Sequence, residues 1–102
     1  MTYDSSLTAL SDPTRRRVFE ALRKGPRTVG ELAADQPVSR PAVSQHLKVL
    51  VEAGLAVATA QGNRRLYAIR PEALTELRQW LDTFWDEALA AYSAEISRKF
   101  GN

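Results

Sequence analysis

The side chains able to do chemistry concentrate in one short stretch. From Ser39 to Ala53, apolar Val43, Leu47 and Leu50 recur at helical spacing, with Val51 beside them. Arg40, Ala42, Ser44, Gln45, His46 and Lys48 fall between them. On a helix the apolar three share an inward face, which leaves the others on the outward side. No acidic residue interrupts that side before Glu52. An ordinary solvated helix face would carry glutamate alongside its lysine. This mixture suits the edges of base pairs instead. A guanidinium matches the two acceptors of guanine, a carboxamide matches adenine, and small residues permit close approach or contact with a thymine methyl.

A second group is Asn63-Arg64-Arg65. Arginines on a protruding turn can enter a minor groove or pair with phosphates. Strand alternation sends Arg64 and Arg65 to opposite faces, and does not choose between them. The run Arg15-Arg16-Arg17 reads differently. Successive helical residues diverge, so the three cannot serve one surface. A solvated charge run with a local partner such as Glu20 is the expectation there.

Other chemistries have little to work with. The chain has no cysteine and one histidine, His46. Thiolate zinc sites, iron–sulfur clusters, disulfides and cysteine nucleophiles are therefore excluded. Asp82 and Asp86, four residues apart with Glu87 adjacent, would suit an oxygen-ligand cation, but such pairs more often mark a solvated face. No glycine-rich phosphate loop, Ser/His/Asp set or paired-acid pattern supports catalysis, so no enzyme activity and no cofactor are expected.

The elements that must position these residues follow from caps and breakers. Leu7, Ala9 and Leu10 suggest a short first helix starting at Asp4 or Ser5. Asp12-Pro13 reads as an N-cap and first helical position. The helix that follows buries Val18, Phe19 and Leu22 and stops at Gly25-Pro26. Thr28 and Glu31 match a capping box for a short helix with Leu32 and Ala33 inward. Ser39 caps the next helix, with Pro41 in its first turn and Gly54 beyond its end. The link Gln36-Pro37-Val38 between two short helices is the layout of a helix-turn-helix.

Leu55–Thr59 and Leu66–Ile69 read as two strands, with Gly62-Asn63 supplying the positive-φ positions of a hairpin tip. From Pro71 to about Arg98, Leu74, Leu77, Leu81, Phe84, Trp85, Ala88, Tyr92 and Ile96 track a period near 3.5. A helix that long, roughly 40 Å, outruns a small domain. Its far end must bury Phe84, Trp85, Leu89 and Tyr92 against something, and a second copy of the helix is the natural partner. Trp80 and Trp85 accordingly read as interface core.

Length and composition agree. A chain of 102 residues, 44% hydrophobic and 25% charged, fits one globular domain. No apolar run is long enough to span a membrane, and no signal-peptide pattern opens the chain, so a cytoplasmic location without membrane insertion is expected. The net charge of +2 hides an asymmetry. Residues 1–70 hold 11 Lys/Arg against 6 Asp/Glu, and residues 71–102 hold 3 against 6. The basic part coincides with the helix-turn-helix and hairpin, the acidic part with the long helix.

Leu10-Ser11-Asp12-Pro13-Thr14-Arg15, the segment from Val38 to Leu50 containing Ser44-Gln45-His46-Leu47, then Ala53-Gly54-Leu55 and Gly62-Asn63-Arg64-Arg65-Leu66-Tyr67 together resemble the ArsR-type winged-helix repressors. The resemblance covers roughly residues 7–98. It implies a mainly α fold with a two-stranded hairpin wing, and a homodimer through the terminal helices. Residues 7–70 would form the helix-turn-helix and wing, and 71–98 the dimerisation helix. The double-stranded DNA operator would meet Ser39, Arg40, Ala42, Ser44, Gln45, His46, Lys48, Asn63, Arg64 and Arg65. The dimer would use Leu7, Leu10, Leu77, Leu81, Phe84, Trp85, Ala88, Leu89 and Tyr92.

Many members of that family sense metals through cysteines in the helix that here begins at Glu31, or through Asp/His pairs on the last helix. Here Glu31-Leu32-Ala33-Ala34-Asp35 has no thiol and the last helix has no histidine. The resemblance is therefore to the branch without these metal sites, whose members often repress their own operons. An inducer or anti-repressor protein would be of another kind. A repressor sensing metal through carboxylates of the last helix, and a winged-helix protein–protein module, are the alternatives. Arg40, Gln45 and Lys48 disfavour the latter, which needs an apolar patch.

Overall fold

In the computed structural model, which describes residues 2–100, the caps and breakers define most element boundaries. Helix α1 (Thr2–Ala9) begins before Asp4. Asp12 caps α2 (Pro13–Ala21), its carboxylate accepting from the Thr14 N–H at 3.2 Å. The α-helix ends at Ala21, earlier than the Gly25-Pro26 breaker suggested. Leu22–Lys24 tighten into a 3₁₀ turn, which Gly25 leaves at φ 121°. Helix α3 (Val29–Ala34) opens on a complete capping box. The Thr28 N–H donates to Glu31 Oε1 at 2.8 Å, and the Glu31 N–H donates to Thr28 Oγ1 at 3.1 Å.

Helix α4 (Arg40–Glu52) starts at Ser39 as expected, with Pro41 in its first turn. The link from α3 spans residues 35–39 rather than Gln36 to Val38 alone, because Asp35 and Ser39 act as caps and not as helix. After Ala53, Gly54 takes a left-handed φ of 79°.

Strands β1 (Ala56–Gln61) and β2 (Arg64–Ile69) pair antiparallel, from Ala56↔Ile69 to Gln61↔Arg64. Both run closer to the tip than the sequence suggested, and Leu55 belongs to the core and not to β1. The turn is therefore only Gly62-Asn63. Gly62 has φ 62°, whereas Asn63 does not take a positive φ as expected. One positive φ at the first central position is the type II′ signature; type I′ needs two. The tight turn makes Arg64 and Arg65 strand residues. A short third rung joins the hairpin to the chain before α3. The Arg27 N–H donates to the Tyr67 carbonyl at 2.9 Å, and the Tyr67 N–H to the Arg27 carbonyl at 2.8 Å.

Helix α5 (Pro71–Phe100) continues two residues past Arg98. At 1.5 Å per residue it measures about 45 Å, and the molecule extends 66 × 26 × 21 Å. The core lies where α2, α3, α4 and the hairpin base meet. Val18, Leu22, Leu32, Val43, Leu47, Leu50 and Leu55 are all fully or nearly fully buried there. Phe19, Val38, Tyr67, Ile69, Leu10 and Leu77 pack around them. Three of the buried residues belong to α4, so the orientation of that helix is fixed by its inward stripe.

The Thr28 backbone N–H holds the Glu31 carboxyl below its ordinary pKa, against partial desolvation, with help from the Thr28 hydroxyl, Arg64 and Arg27. A carboxylate depressed on folding stabilises the fold above its unfolded pKa, and that contribution is lost as pH falls through the folded value. Thr28→Ala is expected to cost about 1 kcal/mol in urea unfolding at pH 7. The stability gap between the native chain and Glu31→Gln should be present at pH 7 and close as pH falls through the lowered Glu31 pKa. A pH-independent gap would show that the charge has no part in the cap.

Candidate nucleic-acid interface

An open cleft of about 380 Å³ separates α4 from the hairpin. Ser44, Gln45, Lys48, Val51 and Glu52 line its α4 side; Ala58, Arg65 and Tyr67 line its strand side. Ser44, Gln45, Lys48 and Arg65 are exposed and make no side-chain hydrogen bond or ion pair among the described residues. Their donors and acceptors are free for a ligand. Sequence reasoning had placed the first three on one helix face; the fold adds Arg65 across the cleft from them.

Strand alternation separates the two wing arginines as expected. Arg65 shares its face with Tyr67, and Arg64 lies toward α3, where its charge helps depress Glu31. Asn63 is exposed at the tip.

The N-terminal end of α4 is arranged differently. The Ser39 hydroxyl accepts from the Ala42 N–H at 3.3 Å, so its first task is capping. Ala42 is half-buried. The Arg40 guanidinium lies over Gly30 on α3, where a Cβ would come within 2.5 Å of Nη2. A glycine in α3 thus makes room for an arginine of α4, a contact that local sequence patterns do not encode.

His46 is not on the outward side as expected. Its side chain is only 18% exposed, and Nδ1 lies 3.9 Å from Asp12 Oδ2. Nδ1 is itself buried without a hydrogen-bond partner. The histidine therefore packs between α4 and the cap of α2 rather than facing outward. The arginine run is also reassigned. Arg15 donates to the Ala9 carbonyl at 3.1 Å and lies 3.7 Å from Asp12, while Arg16 donates to the Leu10 carbonyl at 3.0 Å. They satisfy carbonyls at the end of α1, and neither pairs with Glu20 as suggested.

The residues assigned to dimerisation divide into two groups. Leu10 and Leu77 are half-buried against the chain's own core. Leu7, Leu81, Phe84, Trp85, Ala88, Leu89 and Tyr92 are exposed, with Phe84 at 60% and Tyr92 at 65%. The Phe84 ring stacks on Trp80 with centroids 6.3 Å apart.

A helix-turn-helix domain family matches residues 10–58. A curated relative, the HTH-type transcriptional regulator Rv2034 of Mycobacterium tuberculosis, is 53% identical over 91% of this chain and 87% of its own length. The transcriptional repressor SdpR of Bacillus subtilis is 32% identical over 74% of this chain and 84% of its own. Among solved structures, an ArsR-like transcriptional regulator from a Rhodococcus species aligns over 95% of this chain and 91% of its own, with TM-score 0.75 and 30% identity. The homodimeric winged helix-turn-helix domain of Mb0332 from Mycobacterium bovis, a possible ArsR-family regulator, aligns over 84% and 80% with TM-score 0.68 and 26% identity. The chain belongs to the ArsR family of winged helix-turn-helix transcriptional regulators.

Among the described residues no three His, Cys, Asp or Glu side chains come together as a metal site. Asp82 lies 3.9 Å from Arg78. No described helix is long and apolar enough to cross a membrane.

Asp12 has two tasks, capping α2 and facing His46. Asp12→Ala should lose about 1 kcal/mol in thermal or urea unfolding, whereas Asp12→Asn keeps the cap and should lose much less. Equal losses would place the effect in the charge facing His46 and Arg15.

Proposed function

We propose that the chain is a homodimeric transcriptional repressor that reads a pseudo-palindromic operator, with one α4 in each of two successive major grooves. The observation that carries this is the α4–hairpin cleft. It gathers Ser44, Gln45, Lys48 and Arg65 with unused hydrogen-bonding groups on an acid-poor surface. Gln45 and Ser44 face base edges. Lys48 and Arg65 pair with phosphates, and Arg40, Asn63 and Arg64 reach the flanking backbone. Ser39 and Ala42 bring the start of α4 close to the DNA. His46 packs on the α2 side of α4, beside Asp12.

The exposed apolar face of α5 supports pairing with a second copy, as does the homodimeric state of the M. bovis structure. The name of SdpR supports repression as the outcome of binding. An operator beside the protein's own gene completes the reading, and relief would come from an inducer or an anti-repressor protein.

The test is selection of bound sequences from a random DNA pool. A palindromic consensus lying near the protein's own gene is the expected result. On that duplex, Gln45→Ala should lose about 1–3 kcal/mol and discriminate less between matched and mismatched sites. Equal weakening on every sequence would contradict a base-reading role. Affinity should fall steeply with salt, since phosphate contacts release counterions; a flat response would sink the DNA-binding reading.

A further inference from the structure

A second open depression, of about 610 Å³, lies away from the α4–hairpin cleft. The second half of α2, the 3₁₀ turn, Arg27 and the first residues of the α3–α4 link, Asp35 to Pro37, wall it. Arg17, Arg23, Lys24 and Arg27 surround it, with Glu20 and Asp35 in its lining. Arg27 is held by Asp35 at 2.9 Å. Arg17, Arg23 and Lys24 make no ion pair among the described residues. This is an excess of positive charge in a concavity of metabolite size, and the DNA-reading surface uses none of it. Like charges held around one space repel each other, and an anion placed among them relieves the repulsion.

We propose that this depression binds a small organic polyanion, a molecule carrying two or more carboxylate or phosphate groups. Two features favour a small molecule over the DNA backbone. No residue of α4, β1 or β2 lines the depression. Glu20 and Asp35 can each accept a hydrogen bond from a hydroxyl or amino group, which a small ligand can carry and a phosphate chain does not.

Arg27 connects the depression to the reading surface. Its side chain spans to Asp35 at the end of α3, while its backbone pairs in both directions with Tyr67, which lines the α4–hairpin cleft. An anion that draws the Arg27 guanidinium away from Asp35 releases a tie between α3 and the base of the hairpin. That effect on DNA rests on the operator-binding reading; the binding itself does not.

The experiment is an amide NMR titration of the full chain with citrate, then with pyrophosphate, at ionic strength held constant with sodium chloride. The expected result is saturable shifts centred on residues 17–27 and 35–37 for at least one of the two probes. Binding should weaken at least tenfold in Arg23→Gln/Lys24→Gln, whose circular dichroism should match the parent. Arg17→Gln, a single exposed change, serves if the double variant misfolds. Unsaturable shifts with both probes, or equal affinity in the variant, would overturn the proposal. So would shifts centred on residues 39–48 and 63–65, which would mean anions merely compete for the α4–hairpin cleft. Loss of DNA affinity in the variant without loss of anion binding would likewise return these cations to the DNA footprint.

Discussion

From Leu81 to Phe100, α5 carries Phe84, Trp85, Leu89, Tyr92, Ile96 and Phe100 into solvent on an arm the rest of the chain leaves largely uncovered. Burying one such side chain is worth about 1.5–3 kcal/mol, which is large beside the 5–15 kcal/mol that holds a typical domain together. Covering this face with a second α5 satisfies the need using only the chain's own sequence. A two-fold interface of that kind is self-complementary and closes after two copies. In the proposed repressor that pairing would make two reading helices out of one and set them about one DNA turn, roughly 34 Å, apart.

Within one chain, α4 is held chiefly by its inward residues. Val43, Leu47 and Leu50 are buried to completion, so α4 cannot rotate without emptying the core. Around that core lie further contacts between elements: Arg15 and Arg16 to the end of α1, Arg27 to both Asp35 and Tyr67, His46 packed beside Asp12, and Arg40 over Gly30. The end of α1, α2, α3, α4 and the hairpin are thus joined through named side chains.

Much of this was legible in the sequence because its signals are local. Asp12-Pro13, the Thr28/Glu31 box, Ser39 with Pro41, and Gly54 each act within one helical turn, and each stands where expected. The inward stripe of α4 follows from its period alone. The errors are of two kinds, one local and one not. The strands were expected to end early because Arg64 and Arg65 look like loop residues, yet the II′ turn at Gly62 needs only Asn63 beside it, and pairing reaches Gln61↔Arg64. His46 looked outward because helical angle says nothing about what a neighbouring helix offers. Its partner Asp12 lies far back in the sequence, as Gly30 does from Arg40. The basic depression escaped notice for the same reason: Arg17, Arg23, Lys24 and Arg27 were part of an average charge until the fold gathered them.

The measurement that bears most directly on the pairing of α5 is the mass of the chain in solution without DNA. Sedimentation equilibrium at low micromolar concentration should give twice the 11.3 kDa of one protomer. Substituting Trp85 and Tyr92 by aspartate should return it to the monomer with its helical content retained. A native chain that sediments as an 11.3 kDa monomer under those conditions would contradict the account. A single copy bound to an asymmetric duplex would contradict it equally.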